Sequence, residues 1–407
     1  MIVFIAVIYF ASAADQSSNN NGGYNPPFPA DTTAPYDPGV MDTPAVTDTP
    51  APTVTDTPSP SIQPGMTLVS SGSLHQTRAF HTATLLQNGS VLIAGGEDDT
   101  DTYLATAELY DPGTGLITQT GPMSTARMSG TATLLTDGRV LMAGGQDVSG
   151  KALATAELFD PKTGKFTSTG SMTTPRFNAA AVVLADGQVL VVGGNDGPNR
   201  LDTVERYDPR SGKFSSAGRM SVPRENPAAA VLGAKQAGKV IVAGGGDQSG
   251  YPEDTSEIYD PVSGVFSLPQ NLGRTSKDAT ACLLPDGNVL LVGGFDYSGM
   301  SDSSTLEYSV NLDAWTPNVT IEAGGTAAAV APMQDGSILM VESVSGVDSD
   351  LIDVYDPTAA RVDYVGSLAQ DRTGLTATQL KDGSVLFVGG RSYWTASNTV
   401  ELYKFSR

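Results

Sequence analysis

The sequence predicts an all-β fold, a seven-bladed β-propeller, and two observations carry this prediction. The first is a glycine pair that ends a short apolar run and recurs at a nearly constant interval. The first glycines of these pairs stand at positions 95, 144, 193, 244, 293 and 389. The interval is about 50 residues, except for the last, which is about twice as long. At its midpoint, residues 338–342 repeat the apolar run but lack the glycine pair. Seven repeats of this length, each with four short strand signals, are typical of propeller blades.

The second observation is a fixed order of strand and turn signals inside each repeat. In the second repeat, residues 131–135 predict a first strand, Asp137-Gly138 a tight turn and residues 140–143 a second strand. Such turns between apolar runs predict hairpins, and we expect type I′ turns, in which both central residues have positive φ. Residues 156–159 predict a third strand, and an Asp-Pro turn at Asp160 leads to a fourth.

The two ends of the repeat region predict how the ring closes. The chain stops soon after a third strand, Glu401-Leu402-Tyr403, without a fourth. An apolar pair six residues apart marks each fourth strand, and an extra pair, Leu68 and Leu74, precedes the first glycine pair. We therefore expect the N-terminal strand near Leu68 to complete the last blade, which leaves few free sheet edges.

The N-terminal part of the chain differs in composition from the repeats. Residues 1–13 are mostly apolar and end in Ala-Ser-Ala, which predicts a signal peptide; the run is shorter than the roughly 20 residues that a membrane-spanning helix needs. Residues 14–65 are rich in Pro, Thr and Asp and lack basic residues, which predicts a disordered stalk or a plain linker. Residues 66–407 are the predicted propeller. These features favour a secreted or cell-surface protein without a transmembrane segment.

Charge and cysteine content exclude some functions. The net charge of −21 disfavours nucleic acid as a partner, because phosphates require clusters of Lys and Arg. Cys282 is the only cysteine, so no internal disulfide can form, and its apolar surroundings predict a buried, inert thiol. Glu97, Asp98, Asp99 and Asp101 form the densest acidic cluster, for which an exposed loop is a better interpretation than a calcium site.

The glycine pair, the Glu-x-Tyr that follows it and the aromatic residue of the last strand resemble the kelch repeat over residues 66–407. Kelch propellers include the central domain of galactose oxidase, bacterial surface proteins and animal substrate adaptors, so the resemblance implies a fold without fixing a function. A galactose oxidase would need copper held by two histidines and two tyrosines, one crosslinked to cysteine. The two histidines, His75 and His81, both stand at the entry of the first blade, four repeats before Cys282. We therefore expect no copper, no other metal and no cofactor.

Two kinds of charged residue recur where the loops between the second and third strands share a face with the loops between blades. Aspartates follow the glycine pairs at Asp98, Asp147, Asp196, Asp247 and Asp296. Arginines follow the fourth strands at Arg78, Arg127, Arg176, Arg224 and Arg372. Third strands add Glu108, Glu157, Glu205, Glu257, Glu307 and Glu401.

These charges have two interpretations. In the structural one, each arginine pairs with the Glu or Asp of its repeat, and the sixth repeat supports it because Gly325 and Asp353 replace the arginine and the glutamate together. In the functional one, the arginines and aspartates form a polar ligand platform, as the resemblance to kelch substrate adaptors implies, and Phe177 adds an aromatic contact.

The sequence thus predicts a non-catalytic binding module for an extracellular protein or polysaccharide. The alternative is a carbohydrate-active enzyme that uses carboxylates on the propeller face.

Overall fold

The structure is a computed structural model that describes residues 65–233, 236–298, 304–320, 326–343, 350–392 and 395–406. The predicted signal peptide, and the predicted stalk up to residue 64, lie outside the described residues. The described residues form 31 β-strands, most of them in seven sheets. In this part of the chain no helix is long and apolar enough to cross a membrane.

The first three blades are regular four-stranded antiparallel sheets, whose strands follow chain order from the inside outwards. Blade 1 contains β2 (Thr82–Leu85), β3 (Val91–Ala94), β4 (Ala107–Asp111) and β5 (Leu116–Gln119). Blade 2 contains β6 (Thr131–Leu134), β7 (Val140–Ala143), β8 (Ala156–Asp160) and β9 (Lys165–Ser168). Blade 3 contains β10 (Ala180–Val183), β11 (Val189–Val192), β12 (Thr203–Asp208) and β13 (Lys213–Arg219).

The next three blades keep the same order with local changes. Blade 4 contains β14 (Ala228–Val231), β15 (Val240–Ala243), β16 (Thr255–Asp260) and an interrupted outer strand, β17 (Val265–Phe266) and β18 (Gln270–Asn271). Blade 5 contains β19 (Thr280–Leu283), β20 (Val289–Val292), β21 (Ser304–Ser309) and β22 (Ala314–Thr320). Blade 6 contains β23 (Thr326–Pro332), β24 (Ile338–Ser343), β25 (Leu351–Asp356) and β26 (Arg361–Ser367).

Blade 7 is assembled from both ends of the repeat region, as predicted. Its inner strands are β27 (Thr376–Gln379), β28 (Val385–Val388) and β31 (Thr399–Ser406), and its outer strand is β1 (Gly65–Ser73). Strand β1 pairs with β31 from Gly65 opposite Ser406 to Ser73 opposite Thr399. A small hairpin, β29 (Arg391–Ser392) and β30 (Thr395–Ala396), lies in the loop between β28 and β31.

The apolar core lies between blades and joins them into a closed ring. The innermost strand of each blade contacts the innermost strands of both neighbours, including β27 with β2. Each hydrophobic cluster likewise spans two neighbouring blades; one contains Leu92 and Ala94 of blade 1 with Val140 and Phe159 of blade 2. Burying both faces of the inner strands in this way explains why they read as short continuous apolar runs.

The turn after the first strand differs from the expected type I′. Gly89 has a φ of 96°, but Asn88 is not among the residues with positive φ. The Gly89 N–H donates to the Leu86 carbonyl, and the Leu86 N–H donates to the Ser90 carbonyl. This is a three-residue hairpin loop, in which a type I turn is followed by one left-handed residue, so the prediction of two positive φ values was wrong.

The role of β1 in closing the ring gives a first prediction. Deleting residues 65–73 should expose the backbone edge of β31 and cause a large loss of stability or aggregation, because a free edge pairs with other chains. Thermal unfolding and size-exclusion chromatography would measure both effects. A control truncation that starts at Gln63 keeps β1 and should behave like the full chain. An unchanged melting temperature after deletion of β1 would mean that another segment closes the ring.

Candidate functional site

The loops between the second and third strands and the loops between blades lie together on one face, called here the loop face. In six blades, the residue after the recurrent arginine forms a β-bridge with the residue after the glycine pair; in blade 5, Ser276 stands in place of that arginine. The pairs are Ala79–Glu97, Met128–Gln146, Phe177–Asn195, Glu225–Gly246, Lys277–Phe295 and Thr373–Arg391. The shared face predicted from the sequence is therefore present.

Beneath the loop face, each of the five recurrent arginines binds the glutamate of its own blade. In blade 2, Nη2 of Arg127 donates to Oε1 of Glu157 at 2.9 Å. Nη1 of the same guanidinium donates to the carbonyl oxygens of Gly144 at 2.6 Å and Thr155 at 3.1 Å. The other glutamate oxygen, Oε2, accepts the backbone N–H of Ser124 at 2.8 Å. We call this arrangement the Arg–Glu clamp.

The same Arg–Glu clamp occurs in blades 1, 3, 4 and 7. Its ion pairs are Arg78–Glu108, Arg176–Glu205, Arg224–Glu257 and Arg372–Glu401. All five guanidiniums are buried, with exposed fractions of 0–2%. Burial lowers the pKa of each arginine, and the paired glutamate acts in the opposite direction. Each clamp therefore neutralises a charge that would otherwise be costly inside the protein.

The backbone carbonyls of four clamp arginines, Arg78, Arg127, Arg176 and Arg224, also bind the preceding blade. The Gly96 N–H donates to the Arg127 carbonyl at 3.0 Å. A Cβ added to Gly95 would lie 2.6 Å from that carbonyl oxygen, so a side chain cannot fit there. The ring ends in the same way, because the Gly390 N–H donates to the Arg78 carbonyl at 2.9 Å. The glycine pair is therefore required by the contact between blades.

The burial of the arginines bears on their predicted role in ligand binding. Their geometry is that of the structural interpretation, and their side chains present almost no surface to a partner. Ligand binding at Arg78, Arg127, Arg176, Arg224 and Arg372 stays a prediction. In this conformation any contribution to recognition would come from positioning the loops above them.

The recurrent aspartates are half-buried at the bends of the loop face. Oδ1 of Asp147 accepts the Ser149 N–H at 2.9 Å and the Lys151 N–H at 3.1 Å. The hydrogen bond from the Ser149 hydroxyl, together with these two backbone bonds, lowers the pKa of Asp147. Similar turns form at Asp98, Asp196, Asp247 and Asp296. The aspartates therefore shape the loops, and ligand binding by them stays a prediction. Phe177, the aromatic candidate, is only 9% exposed.

Blade 5 corrects one assignment made from the sequence. Glu307 pairs with Leu290 across the sheet, and Leu306 takes the position opposite Leu291 that the clamp glutamates occupy in other blades. A shift of one residue turns a side chain to the other face of a strand. Glu307 accordingly accepts hydrogen bonds from Asn288 and Asn318, and it was wrong to count it with the clamp glutamates.

The arginine of blade 5 is also displaced, which the sequence analysis missed. Ser276 stands at the clamp position, and Arg274, two residues earlier, donates from Nη2 to the Gly293 carbonyl at 3.2 Å. Blade 5 thus keeps the contact between a guanidinium and the glycine carbonyl but changes the residue that makes it.

Blade 6 replaces the clamp with two carboxylates. Asp353 lies opposite Met340, at the position of the clamp glutamates, and Glu342 stands where other blades have their first glycine. Glu342 is 1% exposed and Asp353 is 5% exposed. Burial, and then the neighbouring Asp353 carboxyl, raise the pKa of Glu342 to about 8. Without a glycine pair, β24 continues to Ser343, two residues longer than β20 of blade 5.

Two exposed tyrosines mark the loop face between blades 4 and 5. Tyr251 and Tyr297 are 58% and 64% exposed, and their ring centroids lie 6.1 Å apart. Each lies within four residues of a recurrent aspartate, Asp247 or Asp296. The sequence analysis did not select these residues, although both are aromatic side chains in otherwise polar loops.

A polar cleft of about 420 Å³ opens on the same face between blades 3 and 4. Its walls include Asn199, Arg200, Asp202 and Arg219. Both carboxylate oxygens of Asp202 accept hydrogen bonds from Arg219 at 2.8 Å, and Nε of Arg200 donates to Glu225 at 2.9 Å. Arg200, Asp202 and Arg219 are therefore already paired, and Asp196, which also lines this cleft, accepts hydrogen bonds from Asn199.

The residues that could hold copper do not fit such a site. His81 is fully buried, with Nε2 3.1 Å from the Thr376 hydroxyl, and burial lowers its pKa well below the ordinary value. His75 lies beside Glu108, with Nδ1 2.7 Å from the carboxylate. Cys282 is buried and burial raises its pKa to about 12, which makes it an inert thiol. Among the described residues, no group of three or more His, Cys, Asp and Glu could hold a metal ion.

The fold and its repeated Arg–Glu clamp define a seven-bladed repeat propeller. The Kelch motif matches residues 127–173 and 176–221, in blades 2 and 3; the same strand order recurs in all seven blades, and the clamp recurs in five of them. The chain therefore contains kelch motifs and has the fold of a kelch-type β-propeller.

Two comparisons extend this assignment. The chain is 23% identical over 156 residues to an F-box/kelch-repeat protein of Arabidopsis thaliana, which covers 37% of this chain and 41% of that protein. It is similar in structure to a fungal alcohol oxidase of the AA5 family in complex with copper, with a TM-score of 0.64 and 18% identity over 83% of this chain and 76% of that one. At this identity the likeness shows the fold alone.

The buried clamp gives a second prediction. Arg127→Ala should strand the Glu157 carboxylate and free two carbonyl oxygens, which should cost about 3–5 kcal/mol of unfolding free energy. Arg219→Ala is the matched control, because the Arg219 side chain is 67% exposed and its pair with Asp202 should contribute about 1 kcal/mol or less. Chemical denaturation of the two variants would test this. Equal losses would argue against a buried structural clamp.

The carboxylate pair of blade 6 gives a third prediction. The pKa of Glu342 is about 8 in the folded protein against an ordinary value of 4.5, so the folded state holds a proton that the unfolded state releases. The free energy of unfolding should therefore fall as the pH rises from about 4.5 to about 8, because the ionised carboxylate is unfavourable in its buried position. Glu342→Gln cannot ionise and should gain melting temperature relative to the wild type between about pH 5 and pH 9.

The control for this measurement is Asp363→Asn, which removes a carboxylate from an exposed pair with Arg361 in the same blade. Its melting curve should follow the pH dependence of the wild type. The assignment fails if Glu342→Gln also keeps that pH dependence.

Proposed function

We propose that this kelch propeller is a protein-binding module whose loop face recognises a positively charged segment of its partner. The observation that carries the proposal is the exposed pair of Tyr251 and Tyr297 beside the carboxylates of Asp247 and Asp296. Tyrosines are enriched among the residues that contribute most to protein interfaces. Their ring faces attract Arg and Lys side chains, and nearby carboxylates add to that attraction.

The charge of the chain supports the same kind of partner. The net charge of −21 would speed the approach of a basic protein and slow that of an acidic one. The arginines that could bind an acidic peptide are buried in the Arg–Glu clamps, so they do not offset the negative charge of the loop face. A neutral sugar ring could also stack on exposed tyrosines, and a glycan is therefore a second outcome that the experiment must separate.

The location of the module outside the cell or at its surface is part of this proposal. It is supported by residues 1–13, which are typical of a signal peptide, and by the Pro/Thr-rich composition of residues 14–65. A non-catalytic binding module is favoured over a carbohydrate-active enzyme. Such an enzyme needs two carboxylates that reach its substrate, and Glu342 and Asp353, the pair in which one carboxyl raises the pKa of the other, are buried.

A binding experiment gives the fourth prediction. The full chain would be applied to a peptide array graded in Arg and Lys content and, in parallel, to a glycan array. We expect capture of basic peptides, and Tyr251→Ala or Tyr297→Ala should weaken it at least about tenfold without a change in melting temperature. Tyr364→Ala is the control, because Tyr364 is 58% exposed on β26, the outermost strand of blade 6.

The outcomes separate the alternatives. Capture of glycans that depends on the two loop tyrosines would replace the basic peptide with a sugar. Capture that is indifferent to both substitutions, or equal weakening by Tyr364→Ala, would exclude this part of the loop face as the binding surface.

A further inference from the structure

His81 places a titratable side chain where the other repeats have a small or apolar one. It stands three residues after the clamp arginine of blade 1. The matching residues of the other repeats are Gly130, Ala179, Pro227, Ala279, Ala328 and Leu375. The glycine pairs of two blades enclose the His81 side chain: a Cβ added to Gly96 would lie 2.9 Å from its Cβ, and one added to Gly389 would lie 2.8 Å from its Cε1. The imidazole ring is therefore packed against the backbones of both blade 1 and blade 7.

The boundary between blades 7 and 1, called here the closure seam, joins the two ends of the repeat region. Its inner strands, β2 and β27, contact each other. Nε2 of His81, next to β2, lies 3.1 Å from the hydroxyl of Thr376 on β27, although the two residues are 295 positions apart in the chain. Both residues are fully buried. Water can reach the His81 ring only if the closure seam opens.

The clamp arginines of blades 1 and 7 both act on His81. Nη1 of Arg372 donates at 3.0 Å to the carbonyl of Gly389, the residue against which the His81 ring lies. Arg78 precedes His81 by three residues. Burial lowers the pKa of His81, the charges of Arg78 and Arg372 lower it further, and the Arg78 backbone opposes them. A proton on His81 would thus add a third positive charge to a buried place that already contains two.

The carboxylates of the closure seam are engaged with arginines. Glu108 and Glu401 bind the two clamp guanidiniums. On the loop side of the seam, Oε1 of Glu97 lies 2.8 Å from Nη1 of Arg391. A protonated His81 would have to compete with these arginines for a carboxylate, because a buried charge is unfavourable without an opposite one.

We propose that His81 is an acid-sensitive latch: the neutral ring keeps the closure seam shut, and protonation of the ring separates blade 7 from blade 1 before other blades separate. The open form accepts a proton below about pH 6.5, the ordinary value for histidine, whereas the closed form excludes it. The free energy of opening should therefore fall as the pH decreases below about 6.5 and stay constant above it. The latch does not depend on the function proposed for the loop face.

The test is amide hydrogen exchange of the full chain at about pH 7.5 and about pH 5, corrected for the intrinsic exchange rate at each pH. The amides of β2 and β27 report on the closure seam, and those of β6 and β10 report on the matching boundary between blades 2 and 3. Protection of β2 and β27 should fall by about 10- to 30-fold at the lower pH, while that of β6 and β10 should not change.

Two substitutions assign the effect to one histidine. His81→Leu introduces the residue that blade 7 has at the matching position, and it should remove the loss of protection at the lower pH. His75→Gln is the control, because the His75 side chain is 50% exposed, and this variant should keep the loss. If His81→Leu does not fold, His81→Ala replaces it, and the comparison of the two boundaries in the wild type needs no substitution.

Three results would overturn the proposal. The first is full protection of β2 and β27 at the lower pH. The second is an equal loss of protection at the boundary between blades 2 and 3. The third is a folded His81 variant that loses protection at the closure seam as the wild type does.

Discussion

The ring depends on one residue that acts in two directions. The guanidinium of Arg127 holds Glu157 and two carbonyl oxygens of its own blade, while its backbone carbonyl accepts the Gly96 N–H of the blade before. The same residue therefore makes both the buried ion pair within its blade and the backbone hydrogen bond to the glycine pair of the neighbouring blade. The same double role holds for Arg78, Arg176 and Arg224, whereas in blade 5 the carbonyl of Ser276 accepts the Gly245 N–H without an arginine.

Blades 5 and 6 depart from this pattern in complementary ways. Blade 5 retains a guanidinium, that of Arg274, but turns Glu307 to the opposite face of its strand. Blade 6 retains carboxylates but has no arginine at the matching place. Both blades keep four strands and an apolar core with their neighbours, so the fold tolerates loss of the clamp in two of seven units. Positions freed from a structural duty are those at which a binding role can develop.

The architecture could be predicted because the glycine pair reports a close backbone approach that occurs once per blade. The turn at Asn88-Gly89 could not, because the same dipeptide suits two hairpin loops that differ in one φ value. The error at Glu307 could have been avoided: this residue directly precedes Tyr308, whereas each clamp glutamate stands two positions before its aromatic residue, as in Glu108-Leu109-Tyr110. The contact between Tyr251 and Tyr297 depends on two loops of different blades, whose separation no local pattern encodes.

The closure of the ring by β1 also sets how the molecule would bear a mechanical load. A pull on the residues before Gly65 would reach the propeller at the Gly65–Ser406 end of the β1–β31 pair. From that end the hydrogen bonds of the pair would be loaded one after another, as in a zipper, and not all together as in shear. Tension would therefore open blade 7 from its outer edge inwards, while the Arg–Glu clamps of the other blades stayed closed.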